Sequence, residues 1–133
     1  VGKKIGVIDS QDALIGNPAY DLVSLIDDVR IKTSIKLKNQ IYNYYLKKNS
    51  KIYKINSNKF LEDFKILSVQ RSLKIIGIFS RLFIRDKKKR YLKFIPYTWQ
   101  LLEMRMDSEI FSELKKMFDR NISRKIRRKI ILK

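Results

Sequence analysis

The sequence predicts a mainly α-helical chain with one short β-strand at its N-terminus. Apolar residues recur at three- and four-residue spacing through most of the chain from Pro18 onward, which is the period of helices packed on one face. Only Ile5 to Ile8 reads as a compact apolar run of strand length. At 133 residues the chain holds one domain at most. With no Cys and no His in the sequence, disulfides and thiolate or imidazole ligands are excluded. A metal site must then use carboxylates and water, a donor set that suits Mg²⁺.

The elements follow in order. Val1 to Lys4 is a polar lead-in, and the strand Ile5 to Ile8 ends abruptly at Asp9. A carboxylate projecting from the end of a buried strand needs a cation to offset its desolvation, so Asp9 is the first candidate metal ligand. A short polar loop leads to Gly16-Asn17-Pro18, where Asn17 suits an N-cap and Pro18 the first helical position. The helix that follows runs to about Val29, with Tyr20, Leu22, Val23, Leu25 and Ile26 as its apolar face and Asp21 in its first turn. It is the expected central buried helix. The positive end of the helix dipole stabilises a carboxylate at Asp21.

Ser34 is placed to cap a second helix to about Lys47, with Leu37, Ile41, Tyr44 and Tyr45 at helical spacing, and Asn49 to Asn58 reads as a loop. A long helix is expected over Lys59 to Arg85, its stripe formed by Phe60, Phe64, Leu67, Ile75, Ile78 and Leu82 and interrupted by Gln70, Arg71 and Lys74. A charge on such a stripe needs a partner, and Arg71 can brace an acid such as Asp12 or reach a ligand. Asp86 to Arg90 is a charged turn. Tyr91 to Met106 is the next helix, with Pro96 near its start or at a kink. Its Trp99 either fills the core or stacks on an apolar ring face of a ligand. Asp107 or Ser108 then caps a helix carrying Ile110, Phe111, Leu114, Met117 and Phe118.

Charge divides the chain unevenly. The net charge is +18, yet residues 9 to 30 carry five acids (Asp9, Asp12, Asp21, Asp27, Asp28) against Arg30 alone. Such a field attracts nucleic acid, anionic membrane or phosphorylated ligands, while dispersed lysines equally suit solvated helix faces. The basic tail, residues 120–133, spaces Ile122, Ile126, Ile130 and Ile131 among arginines and lysines. As a helix it suits packing onto the preceding domain, or a surface of anionic lipid or RNA. No signal pattern precedes the strand, and Arg71, Lys74 and Arg81 interrupt the most apolar stretch, Ile66 to Ile84, so a soluble cytoplasmic protein is expected.

The run I-G-V-I-D-S-Q-D-A-L-I-G-N-P-A-Y-D-L-V-S-L, Ile5 to Leu25, resembles the second signature of the aminoglycoside phosphotransferase and choline kinase family. It looks most like the branch that phosphorylates the anomeric hydroxyl of the cell-wall amino sugars N-acetylmuramate and N-acetylglucosamine, where I-D-F-Q-D-A is usual. The resemblance extends through Gln70 to Leu82 and Arg90 to Pro96, about residues 4 to 106. It implies that residues 1–119 form the helical C-terminal lobe of a protein-kinase-like fold, with ATP as phosphoryl donor, Mg²⁺ as cofactor and an amino sugar as acceptor. Asp9 then matches the Mg²⁺-holding aspartate, and Asp21 the acid that braces the catalytic loop.

Two departures qualify the match. Ser10 stands where the family has a bulky Phe, so looser seating of Asp9 is expected. The family's H-x-D-x-x-x-x-N catalytic loop and nucleotide-binding lobe would lie upstream, and only eight residues precede Asp9. The chain therefore reads as the C-terminal part of a kinase, beginning at Val rather than Met, inactive alone and requiring the missing lobe in cis or in trans. Among the binding candidates, the resemblance leaves Asp12, Arg71 and Trp99 as possible acceptor contacts.

Overall fold

The structure, a computed structural model, describes residues 15–129. The expected strand Ile5 to Ile8, with Asp9, Ser10 and Asp12, and the end of the tail from Ile130 lie outside the described residues. Within the described residues the chain is helical, with no strand. The elements are α1 (Ala19–Ile26), α2 (Ile35–Tyr53), α3 (Ser57–Ile84), α4 (Ile95–Arg105), α5 (Ser112–Asn121) and α6 (Arg124–Arg128). Short 3₁₀ helices, Lys89–Phe94 and Glu109–Phe111, lead into α4 and α5.

Local chemistry sets these boundaries. Asn17 Oδ1 accepts from the Ala19 N–H at 2.9 Å, and Asn17 Nδ2 donates to Asp63 at 2.8 Å, so one side chain starts α1 and ties it to α3. α1 stops three residues short of the expected Val29 because Asp27 leaves helical geometry, at φ −105° and ψ 42°. Ser34 caps α2 as expected, accepting from Leu37 N. That helix outruns its expected end at Lys47 and absorbs half of the expected loop, for Asn49 donates to the Tyr45 carbonyl and continues the turn. It ends at Lys54, in the left-handed region at φ 47°. Asn56 then caps α3 by accepting from both Asn58 and Lys59 N–H groups. Pro96 lies in the first turn of α4, where no hydrogen bond is lost, and the preceding turn is 3₁₀ rather than kinked α-helix.

Two apolar cores line α3. Near its start, Phe60 and Phe64 pack with Ala19, Leu22, Val23 and Ile26 of α1, and Tyr42 and Tyr45 of α2 lie against them. Farther along, Val69 packs with Trp99, Leu102 and Met106 of α4 and with Phe111 and Phe118. Between the two cores α3 buries Ser68, and alongside the second it buries Ser72; these small side chains allow neighbouring helices to approach. α1 is buried on one face only; Tyr20, Asp21 and Leu25 are exposed on the other.

The described part of the tail, to Lys129, packs instead of standing free. Arg127 is buried, donating to Glu103 of α4 at 3.0 Å and to Asp119 of α5 at 2.8 Å, while its guanidinium lies over the rings of Trp99 and Phe118. Arg128 adds a second bond to Glu103. Because Glu103 keeps its bond to Arg128 and Asp119 is half exposed, removing Arg127 strands no buried charge, and Arg127→Ala is expected to cost about 1.5–3 kcal/mol in urea unfolding. A loss below about 0.5 kcal/mol would mean α6 is an ornament of the fold.

Candidate functional site

Of the residues the sequence singles out, Asp21, Arg71 and Trp99 are described. Asp21 is exposed in the first turn of α1, where its carboxylate meets the favourable end of the helix dipole. Trp99 is buried. Its ring meets Phe118 edge to face at 5.2 Å between centroids, and the Arg127 guanidinium lies over it, so a sugar ring would have to displace Arg127 to stack there.

Arg71 projects from the middle of α3 beside Tyr20. Its Nη1 donates to the Tyr20 hydroxyl at 3.4 Å, its guanidinium lies 5.7 Å from that ring's centroid, and its Nε–H is buried with no partner among the described residues. Arg71 also lines a cleft of about 240 Å³ between α3 and two loops. Asp28 and Arg30, just after α1, form one side; Ile75 and Phe79 of α3, with Tyr91 and Phe94 of the 3₁₀ turn, form the other. Phe79 stacks on Tyr91 with centroids 5.4 Å apart and leans on Phe94 at 5.8 Å, fixing an aromatic wall. Asp28 accepts from the Arg30 N–H at 2.7 Å and holds that loop in place. The cleft thus combines an apolar wall with a few charged groups, the composition of a small-molecule site.

A polar centre that the sequence reading missed lies beside this cleft. Asp27 is 3% exposed, yet its carboxylate accepts from Arg105 Nε at 2.9 Å and Nη2 at 3.0 Å, from Ser68 Oγ at 2.8 Å and from Lys38 Nζ at 3.1 Å. Lys38 is itself buried and also donates to the Ile26 carbonyl. Burial pushes the Asp27 carboxyl up, but the bonds and charges of Arg105, Ser68 and Lys38 outweigh it and hold the carboxyl below its ordinary value. With every carboxylate lone pair directed at a donor, Asp27 joins α1, α2, α3 and α4 at one point. Its neighbour Asp28 is thereby fixed at the cleft.

The signal for this centre was present as misplaced charge. Asp27 stands four residues after Val23, Lys38 three before Ile41 and Arg105 three after Leu102, each on the buried stripe of its helix. Among the described residues no group of three or more carboxylates gathers in a way that would hold a metal ion. No helix there is long and apolar enough to cross a membrane.

No family model matches the chain. It is similar to a protein of Caulobacter vibrioides named N-acetylmuramate/N-acetylglucosamine kinase, at 34% identity over 125 residues, which is 94% of this chain and 34% of that protein. Proteins of the same name from Neisseria meningitidis and Pseudomonas aeruginosa are 38% and 37% identical over 68% and 74% of this chain, and 28% and 30% of their own lengths are covered. The chain spans about a third of the length of the curated relatives it matches.

Proposed function

We propose that this chain is the C-terminal, helical part of an ATP-dependent kinase acting on an amino-sugar hydroxyl, and that it is inactive in isolation. The observation that carries this reading is similarity to proteins named as N-acetylmuramate/N-acetylglucosamine kinases over 94% of the chain. In this reading Asp9 holds Mg²⁺, for which a hard carboxylate oxygen is a suitable ligand, and the ion neutralises phosphate charge when bound. Asp21, exposed on the open face of α1 beside Leu25, accepts hydrogen bonds from the backbone of an upstream catalytic loop. Arg71 faces the acceptor. The protein is cytoplasmic, where ATP and Mg²⁺ are supplied.

Residues 1–133 alone are expected to form no sugar phosphate from ATP and either amino sugar, measured by ³¹P NMR. Joined to the part of the Caulobacter relative that the chain does not span, it is expected to turn over. Activity of the isolated chain would overturn the dependence on a missing lobe. A chimera that folds and binds ATP but phosphorylates neither sugar would overturn the kinase assignment.

A further inference from the structure

We infer that the cleft between α3 and the Asp28–Arg30 loop takes the acceptor sugar, and that Arg71 makes it selective for a sugar carrying a carboxylate. This rests on the sugar-kinase reading and adds what that reading leaves open, namely which acceptor is preferred and which side chain chooses it.

The cleft volume, about 240 Å³, is just below the ~300 Å³ at which drug-sized sites begin, and suits a single substituted pyranose rather than an oligosaccharide or a peptide. Phe79, Tyr91 and Phe94 offer an apolar wall against which the C–H face of a pyranose packs. The charges at the cleft are two arginines and one acid. Asp28 is occupied by its own loop, accepting from Arg30 N–H and lying 3.7 Å from Arg30 Nε, which leaves Arg71 as the donor with capacity to spare.

Arg71's condition is the decisive point. A guanidinium in a protein interior is normally matched by a carboxylate through its Nε and Nη edge, since that fork fits two carboxylate oxygens. Arg71 has instead a tyrosine hydroxyl at 3.4 Å, a ring, and a buried Nε–H with no partner. Arg71 itself is half-buried, but its Nε–H is cut off from water, so a ligand carboxylate that completes the fork gains more than a neutral substituent does. N-acetylmuramate and N-acetylglucosamine differ by one carboxylate-bearing ether group on the ring. The cleft therefore discriminates between them through that group.

The experiment is titration of ¹⁵N-labelled residues 1–133 with each sugar, reading amide shifts at 28–30, 71–79 and 91–94. N-acetylmuramate is expected to bind roughly tenfold to hundredfold more tightly than N-acetylglucosamine. Arg71→Gln should bring N-acetylmuramate down to the affinity of the neutral sugar and leave the latter unchanged, and Arg71→Lys, which keeps the charge without the fork, should fall between. If both sugars bind the cleft equally and Arg71→Gln alters neither, or lowers both alike, the selectivity is overturned while the acceptor site stands. If neither sugar moves the cleft amides, the acceptor site itself is overturned. Should Arg71→Gln lose its fold, the lysine variant alone decides, by narrowing the preference or leaving it intact.

Discussion

Asp27→Ala is expected to destabilise the fold by about 3–5 kcal/mol, because it strands Arg105 and Lys38 as buried charges without their shared counter-ion. Against a total stability of about 5–15 kcal/mol for a domain, this is the largest loss a single side chain here can cause. Urea unfolding followed by circular dichroism reads it directly. Arg105→Ala is expected to be nearly as severe, and the double variant should lose well short of the sum, with a coupling of about 0.5–3 kcal/mol. Additive losses, or an Asp27→Ala variant within about 0.5 kcal/mol of the parent, would show that burial at this point is relieved by water and that the centre contributes little.

The same centre sets an acid limit. The folded Asp27 carboxyl titrates below its ordinary value of about 3.9, so the unfolded chain takes up this proton first as pH falls. Its contribution is fully present above about pH 4 and is lost as pH drops through the lower folded value. Urea midpoints measured from pH 6 down to pH 2.5 should therefore fall steeply in the parent below about pH 4. In Asp27→Asn, which has no proton to gain there, the curve should be flatter and lower throughout.

How much of this was legible depends on whether a feature is local. Periodic apolar residues placed α1, α3 and α4 to within a few residues, because Leu22, Val23 and Ile26, or Phe60 and Phe64, declare a face by spacing alone. Caps at Ser34 and Asn17 were equally local. The end of α2 was not, since Asn49 and Ser50 favour turns in isolation and are held helical by their place behind Tyr45. The Asp27 centre joins positions 11, 41 and 78 residues apart, and pairing over such separations leaves only a hint, a charge standing on an apolar stripe. That hint was read at Arg71 and passed over at Asp27, Lys38 and Arg105. The tail shows the converse. Arg127 is indistinguishable in sequence from the exposed Arg124 and Lys125, and only the carboxylates of Glu103 and Asp119 select it for burial.

In the chimera with an upstream lobe, Asp9→Asn is expected to lower kcat by about 10²–10³-fold or more, the scale of losing a group aimed at transition-state charge. The amide keeps the size and one oxygen of the carboxylate but not its charge. A hard dication loses most of its attraction to that ligand. The variant should accordingly need more Mg²⁺ for half-maximal rate and keep the parent's unfolding midpoint. Asp21→Asn provides the contrast, since a residue that braces a loop through hydrogen bonds should lower kcat without moving the Mg²⁺ requirement. Ser10→Phe should shift that requirement the other way if the missing apolar peg loosens the seat of Asp9. Full activity in Asp9→Asn at the parent's Mg²⁺ concentration would remove Asp9 from the site and, with it, the main chemical link between this chain and phosphoryl transfer.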